Sequence, residues 1–183
     1  MASFFTLCAY TENSPGVLHR LTVLFTRRKV NIESLTVSET ERKGISRFTI
    51  VVHTEPEIIE KVAKQINRVI EVVDVFVAEN KDLIFKEIAF YRMETGTPQK
   101  RAEIEELAHR YGAAVTLAKD DYLVIEKTGP EEQIASLFLL LEPYGIKEFV
   151  RSGRIAILTR DRAKGEIFLH QYSPRLPDTD FLP

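Results

Sequence analysis

The chain has 183 residues, of which 44% are hydrophobic and 28% charged, a globular rather than a disordered composition. Its formal net charge of −2 gives no global basic field for nucleic acid or an anionic membrane. A single cysteine, Cys8, excludes an internal disulfide and fits a reducing compartment. The opening MASFFTLCAY lacks the basic n-region and longer apolar run of a secretory leader, and no stretch approaches the ~18 apolar residues of a membrane span, so a cytoplasmic location is expected.

Phe4–Tyr10 reads as a β-rich run, stopped by Thr11-Glu12-Asn13-Ser14 and Pro15-Gly16. Val17, Leu18, Leu21, Leu24 and Phe25 then recur at helical spacing up to Arg27-Arg28-Lys29, whose cations suit a helix C-terminus. Residues 31–40 look extended, Arg42-Lys43-Gly44 signals a hairpin, and 46–53 places Phe48, Ile50 and Val52 on one face of a strand. Ile59, Val62, Ile66 and Ile70 trace a second amphipathic helix opened by Glu55-Pro56-Glu57, and 72–78 forms the last strand. The order is βαββαβ.

It then repeats. Residues 84–93 read as a strand and 98–111 as a helix with Ile104, Leu107, Ala108 and Tyr111 inward. Residues 113–119 and 122–127 form a hairpin across Asp120-Asp121. Gly129-Pro130 opens a helix carrying Ile134, Leu137, Phe138 and Leu141, and 146–158 supplies the final extended stretch. Charge interrupts the apolar pattern at 79–83, which sets expected domains of 1–79 and 80–160. The fold class is α+β, two tandem ferredoxin-like units with four-stranded antiparallel sheets and helices on one face. Residues 161–183, rich in proline and without a sustained period, are expected to form an extension lying along a surface or partly disordered.

The loop before the first helix has specific chemistry. Gly16 can take a positive φ or admit a ligand close to the backbone, where a β-carbon would intrude. The first helical amides lack intrahelical acceptors and carry the positive end of the helix dipole, so a carboxylate is their natural guest. Asn13 either caps the helix or binds that guest; equally, Pro-Gly can serve only to make the turn.

The order βαββαβ with NSPGVL (13–18) after the first strand resembles an ACT domain, an amino-acid-sensing module of metabolic enzymes. VNIESLTV (30–37), SRFTIVV (46–52) and VRSGRIAIL (150–158) narrow the resemblance to the regulatory (small) subunits of acetolactate synthase, also called acetohydroxyacid synthase, over residues 3 to about 160. The resemblance implies a non-catalytic subunit that activates a separate large subunit and carries feedback by valine or another branched-chain amino acid. Thiamine diphosphate, magnesium and FAD are then expected on the large subunit and none on this chain. It also implies a homodimer through side-by-side ACT domains, in which the glycine loop of one chain faces an asparagine of the other. Carried over, the effector residues are Asn13, Pro15, Gly16, Val17, Leu18 and Asn31, with Ser34 and Thr36 as weaker candidates. This sequence departs from the pattern where Pro15 removes an amide and His19 puts an imidazole on the first helical turn.

Other readings fit less well. A stand-alone ACT sensor for a different enzyme would have the same first domain. An RNA-recognition module shares the strand order but needs stacking aromatics and basic residues on its central strands, of which only Phe48 and Arg42-Lys43-Gly44 offer an echo. An acylphosphatase-like enzyme would use Arg20 and Asn31 but lacks its glycine-rich phosphate loop, so Arg20 reads as a solvated helix charge. His19, His53, His109 and His170 are scattered without metal spacing, Cys8 lies mid-strand with no paired histidine, and Glu105-Glu106 and Glu131-Glu132 read as solvated helix faces. No G-x-G-x-x-G or G-x-x-x-x-G-K occurs.

Overall fold

The computed structural model describes residues 1–159; the expected extension at 161–183 lies outside them. Contacts divide the chain into two units, Met1–Ile84 with residues 157–159 and Phe85–Ala156.

The first unit runs β1 (Ser3–Glu12), α1 (Val17–Arg27), β2 (Ile32–Glu39), β3 (Ile45–Thr54), α2 (Pro56–Ile66) and β4 (Val72–Glu79). Its strands pair antiparallel in the order β2-β3-β1-β4, leaving β2 at one edge. Alternation along the strands sends Phe5, Leu7 and Ala9 of β1 and Phe48, Ile50 and Val52 of β3 to one face. Against that face pack Val17, Leu21 and Phe25 of α1 and Ile59, Val62 and Ile66 of α2, each set at helical spacing. Each such Leu, Ile or Phe stabilises the unit by roughly 1.5–3 kcal/mol, which holds α1 and its preceding loop in place.

The C-terminus of α1 is equally fixed. Lys29 takes a left-handed φ of 56°, its amide bonds the Thr26 carbonyl, and the Val30 amide reaches back to the Phe25 carbonyl at 3.0 Å. This pair of bonds is a Schellman motif with lysine where glycine is usual. Val30 is buried in the core, so the chain turns sharply and delivers Asn31 to the start of β2.

The second unit holds most of β5 (Leu83–Glu94), then α3 (Pro98–Arg110), β6 (Ala114–Ala118), β7 (Tyr122–Gly129), α4 (Glu131–Leu141), β8 (Ile146–Arg151) and the start of β9 (Ile155–Leu158). Its order β6-β7-β5-β8 repeats that of the first unit, with β9 added along β5. Ala89, Tyr91 and Met93 pack on Ile104, Ala108, Ile134, Leu137 and Leu141. The two ferredoxin-like units and their α+β class are therefore present as expected from the sequence.

Three local expectations are corrected. Helix α2 stops at Ile66 and the chain turns through Asn67 and Arg68, so Ile70 is 96% exposed and Val69 packs on the core instead. Tyr111 follows the end of α3 and points outward, while its carbonyl accepts from Lys127 Nζ at 2.8 Å. The stretch 146–158 is two strands, because Ser152-Gly153-Arg154 interrupts it and both pieces pair with the long β5. The second sheet thus has five strands rather than four.

Candidate functional site

The loop between β1 and α1 is anchored at both flanks. The Glu12 amide bonds the Glu71 carbonyl and the Asn13 amide bonds the Gly44 carbonyl, both at 2.8 Å. Gly16 itself is the N-cap of α1, with φ 84° and ψ −8°, and no side chain caps the helix. Asn13 therefore does not cap; its side chain is exposed and makes no hydrogen bond among the described residues. The left-handed φ is the conformation glycine adopts without the Cβ penalty.

Pro15, Gly16 and Leu18 are exposed, whereas the Val17 side chain is buried in the core, so Val17 can offer a ligand only its backbone. With Gly16 as cap, the amides of Val17, Leu18 and His19 have no intrahelical acceptor. The Val17 amide leans on the Ser14 carbonyl at a long 3.5 Å. Backbone N–H groups and a dipole end face solvent together, a polarity suited to an anion.

Arg20 is the residue that sequence reasoning underrated. It is exposed, as a helix charge is expected to be, but it is also paired: Nη2 lies 2.7 Å from Glu71 Oε1 and 3.4 Å from the Pro15 carbonyl, and a β-carbon at Gly16 would stand 3.3 Å from Nη1. Glu71 lies far along the chain, on the turn before β4, and no local pattern announces the pairing.

Asn31 is exposed and donates from Nδ2 to Glu33 Oε1 at 3.0 Å. Glu33 falls at the irregularity in the β2–β3 register between Ile32 and Ser34. With its amide donor engaged, Asn31 keeps Oδ1 as an acceptor. Ser34 and Thr36 pair with Val51 and Thr49, and their hydroxyl oxygens are buried without a hydrogen-bond partner among the described residues.

Strand register separates the loop from Asn31. Ile32 pairs with Val52 and Val52 with Phe5, so Asn31 is level with the beginning of β1. Glu12, just before the loop, pairs with Ile45 at the other end of the sheet. From Phe5 to Glu12 the strand covers roughly 24 Å at about 3.4 Å per residue. One chain does not bring Gly16 and Asn31 together.

In the second unit, the VRSGRIAIL segment spans β8, the Ser152–Arg154 turn and β9. Arg151 binds Glu131 at 2.7 Å and approaches the buried Glu87 at 3.3 Å, while Arg154 covers the Phe85 ring at 3.8 Å. Burial pushes the Glu87 carboxyl up and the Arg154 guanidinium down; the hydrogen bond to Glu131 raises Arg151. A concavity lined by Arg92, Glu94, Asp121, Tyr122 and Lys147 also lies in this unit, with Lys147 paired to Glu94 and Arg92 stacked on Tyr122. Among the described residues there is no cluster of His, Cys, Asp or Glu disposed to hold a metal, and no helix long and apolar enough to cross a membrane.

Comparison with known proteins decides the family. Residues 7–74 match the model described as AHAS small subunit-like ACT domain, and 86–160 match that of the small subunit of acetolactate synthase. The chain is 40% identical over 153 residues to the probable acetolactate synthase small subunit of Archaeoglobus fulgidus, covering 84% of this chain and 95% of that one. The chain belongs to the acetolactate synthase small-subunit family. The acetolactate synthase small subunit of Bacillus subtilis is 41% identical over 145 residues, 79% of this chain and 84% of its own length. The crystal structure of the small subunit from Thermotoga maritima superposes with a TM-score of 0.79 at 26% identity, covering 87% of this chain and 99% of that one. The small-subunit family thus carries its ACT domain on the unit that holds the Gly16 loop, and its C-terminal domain on the unit with the Glu87 cluster.

Proposed function

We propose that this chain is the regulatory subunit of an acetolactate synthase, raising the activity of a thiamine-diphosphate-dependent large subunit and conferring feedback inhibition by a branched-chain amino acid such as valine. Thiamine diphosphate, magnesium and FAD belong to the large subunit in this reading. The effector lies between two copies of the chain. The observation that carries this is the placement of the Gly16 loop and Asn31 at opposite ends of one sheet.

Strand β2 is a sheet edge, and two copies can join their β2 edges antiparallel about a two-fold axis. Antiparallel pairing sets the start of one β2 against the end of the other. The loop end of the second sheet then comes to the Asn31 of the first, and the symmetry repeats the arrangement. The effector carboxylate takes the amides at Gly16, its ammonium donates to Asn31 Oδ1 or Asn13 Oδ1, and Leu18 offers apolar surface to the side chain. The buried hydroxyls of Ser34 and Thr36 on the same edge strand, unpartnered among the described residues, gain partners from such a junction.

Reconstitution with the large subunit tests the reading. The chain alone makes no acetolactate; added to the large subunit it raises the rate, and valine reverses the gain. Gly16→Asp, which places a β-carbon and a negative charge where the carboxylate sits, abolishes the response to valine. It keeps the gain, since inhibition requires the effector to favour one state of the complex. A large subunit unmoved by a saturating amount of this chain overturns the assignment.

A further inference from the structure

We propose that Arg20, held by Glu71, is the positioning residue that aims the Gly16 amide at the effector, without itself touching the ligand. The inference rests on the effector reading above. Two carbonyls bracket Gly16, and Arg20 takes both. Its backbone amide bonds the Gly16 carbonyl at 3.0 Å, and its guanidinium reaches the Pro15 carbonyl at 3.4 Å. In a planar trans peptide the carbonyl and the N–H point in opposite directions. A cation holding the Pro15 carbonyl on one side therefore turns the Gly16 N–H to the other side, and this N–H meets no acceptor among the described residues. Glycine has the widest backbone freedom of any residue, so a neighbour must fix that peptide plane.

Glu71 sets the guanidinium. Its carboxylate takes Nη2 at 2.7 Å, while its own carbonyl is tied to the Glu12 amide. The pair is partly exposed, with side-chain accessibilities of 44% for Arg20 and 22% for Glu71, so its Coulombic worth is screened and its value lies in orientation. Charge balance separates positioning from direct recognition. A guanidinium already neutralised by Glu71 adds little attraction for a carboxylate, whereas freeing it from Glu71 would strengthen a direct contact.

The test uses the full chain, with valine, leucine and isoleucine titrated by calorimetry, and the Gly16 amide followed by NMR in the effector-free protein. Arg20→Ala and Glu71→Ala each weaken binding by about tenfold, and the double variant is no weaker than either single one. Glu71→Gln, which keeps the acceptor, binds nearly like the parent, and Arg20→Lys recovers part of the loss. The Gly16 amide resonance moves in both alanine variants while thermal unfolding confirms that they fold. Parent-like binding by Arg20→Ala, additive losses, an unmoved Gly16 resonance, or tighter binding by Glu71→Ala each overturns the proposal. A parent chain that binds none of the three amino acids overturns the effector reading itself, and the Gly16 resonance then still reports whether Arg20 sets that peptide.

Discussion

Glu87 and Arg151 face each other in the second unit across 3.3 Å between Oε2 and Nε, but the shorter contact of Arg151, at 2.7 Å, goes to Glu131. Glu87 is left buried with an oxygen that no hydrogen bond satisfies among the described residues. Burial therefore dominates and holds its carboxyl above the ordinary value of 4.5, against the pull of Arg151.

The consequence is a stability slope. The folded chain keeps the Glu87 proton to higher pH than the unfolded chain, so folding binds protons in the window that opens at 4.5. Stability from this group falls as pH rises through that window. Glu87→Gln removes the titration. Urea unfolding of parent and variant from about pH 4 to about pH 8 should show the variant gaining on the parent as pH rises. A flat difference would show that Glu87 ionises as an ordinary glutamate, and the opposite slope that the pull of Arg151 outweighs burial.

Tyr91 carries a second prediction. Its hydroxyl donates to the Ile134 carbonyl at 2.8 Å inside the core, and burial pushes the phenol up to about 12. Ionisation is thus harder in the folded chain than in the unfolded one, so stability is lost as pH climbs from 10 through about 12. At neutral pH, Tyr91→Phe should cost about 1 kcal/mol, because a satisfied buried hydrogen bond is removed and no cavity opens. Unfolding curves of the two proteins, with NMR titration of the phenol carbon, check both halves.

The βαββαβ repeat was legible because its signals are local: Leu7 and Ala9 alternate, and Val17, Leu21 and Phe25 recur at helical spacing. The misreadings occurred where periodicity outran the backbone. Ile70 continues the apolar rhythm of α2 after the helix has ended at Ile66, and Tyr111 does the same beyond α3. Composition alone marked the Gly16 loop as a turn before an amphipathic helix, and its reading as an effector loop came from the family resemblance carried by NSPGVL and VNIESLTV. Its anchors could not. Arg20 finds Glu71, and the Glu12 and Asn13 amides find the Glu71 and Gly44 carbonyls, and all of these depend on tertiary placement.

Gly16 itself permits a test of backbone strain. An alanine there must adopt φ 84°, at roughly 1–2 kcal/mol, while its methyl meets only the end of the Arg20 side chain, at 3.3 Å from Nη1. Asparagine tolerates the left-handed region better. Gly16→Ala should therefore destabilise the first unit more than Gly16→Asn, although asparagine is the larger residue. Chemical denaturation of both variants decides; the reverse order would mean that space at the loop, rather than φ, sets the cost.

The separation of Gly16 from Asn31 along one sheet makes a sharp prediction about mixtures. In the proposed two-fold pair, each effector site takes its loop from one chain and its asparagine from the other. Neither a Gly16→Asp homodimer nor an Asn31→Ala homodimer then has an intact site. A dimer holding one chain of each kind concentrates both lesions in one site and leaves the other whole: the unaltered loop comes from the Asn31→Ala chain and the unaltered asparagine from the Gly16→Asp chain. Mixing the two inactive variants, with subunit exchange allowed, should restore valine binding at up to one site per mixed dimer, and sedimentation should show dimers throughout. Asn31→Ala alone should lose about ten- to a hundredfold in affinity, the cost of an unpaired polar group of the ligand, and Gly16→Asp alone should abolish binding through clash and like-charge repulsion. If the residues instead served one chain, mixing would restore nothing, because every chain in the mixture carries a lesion. Absence of recovery among verified mixed dimers would therefore rule out a shared site.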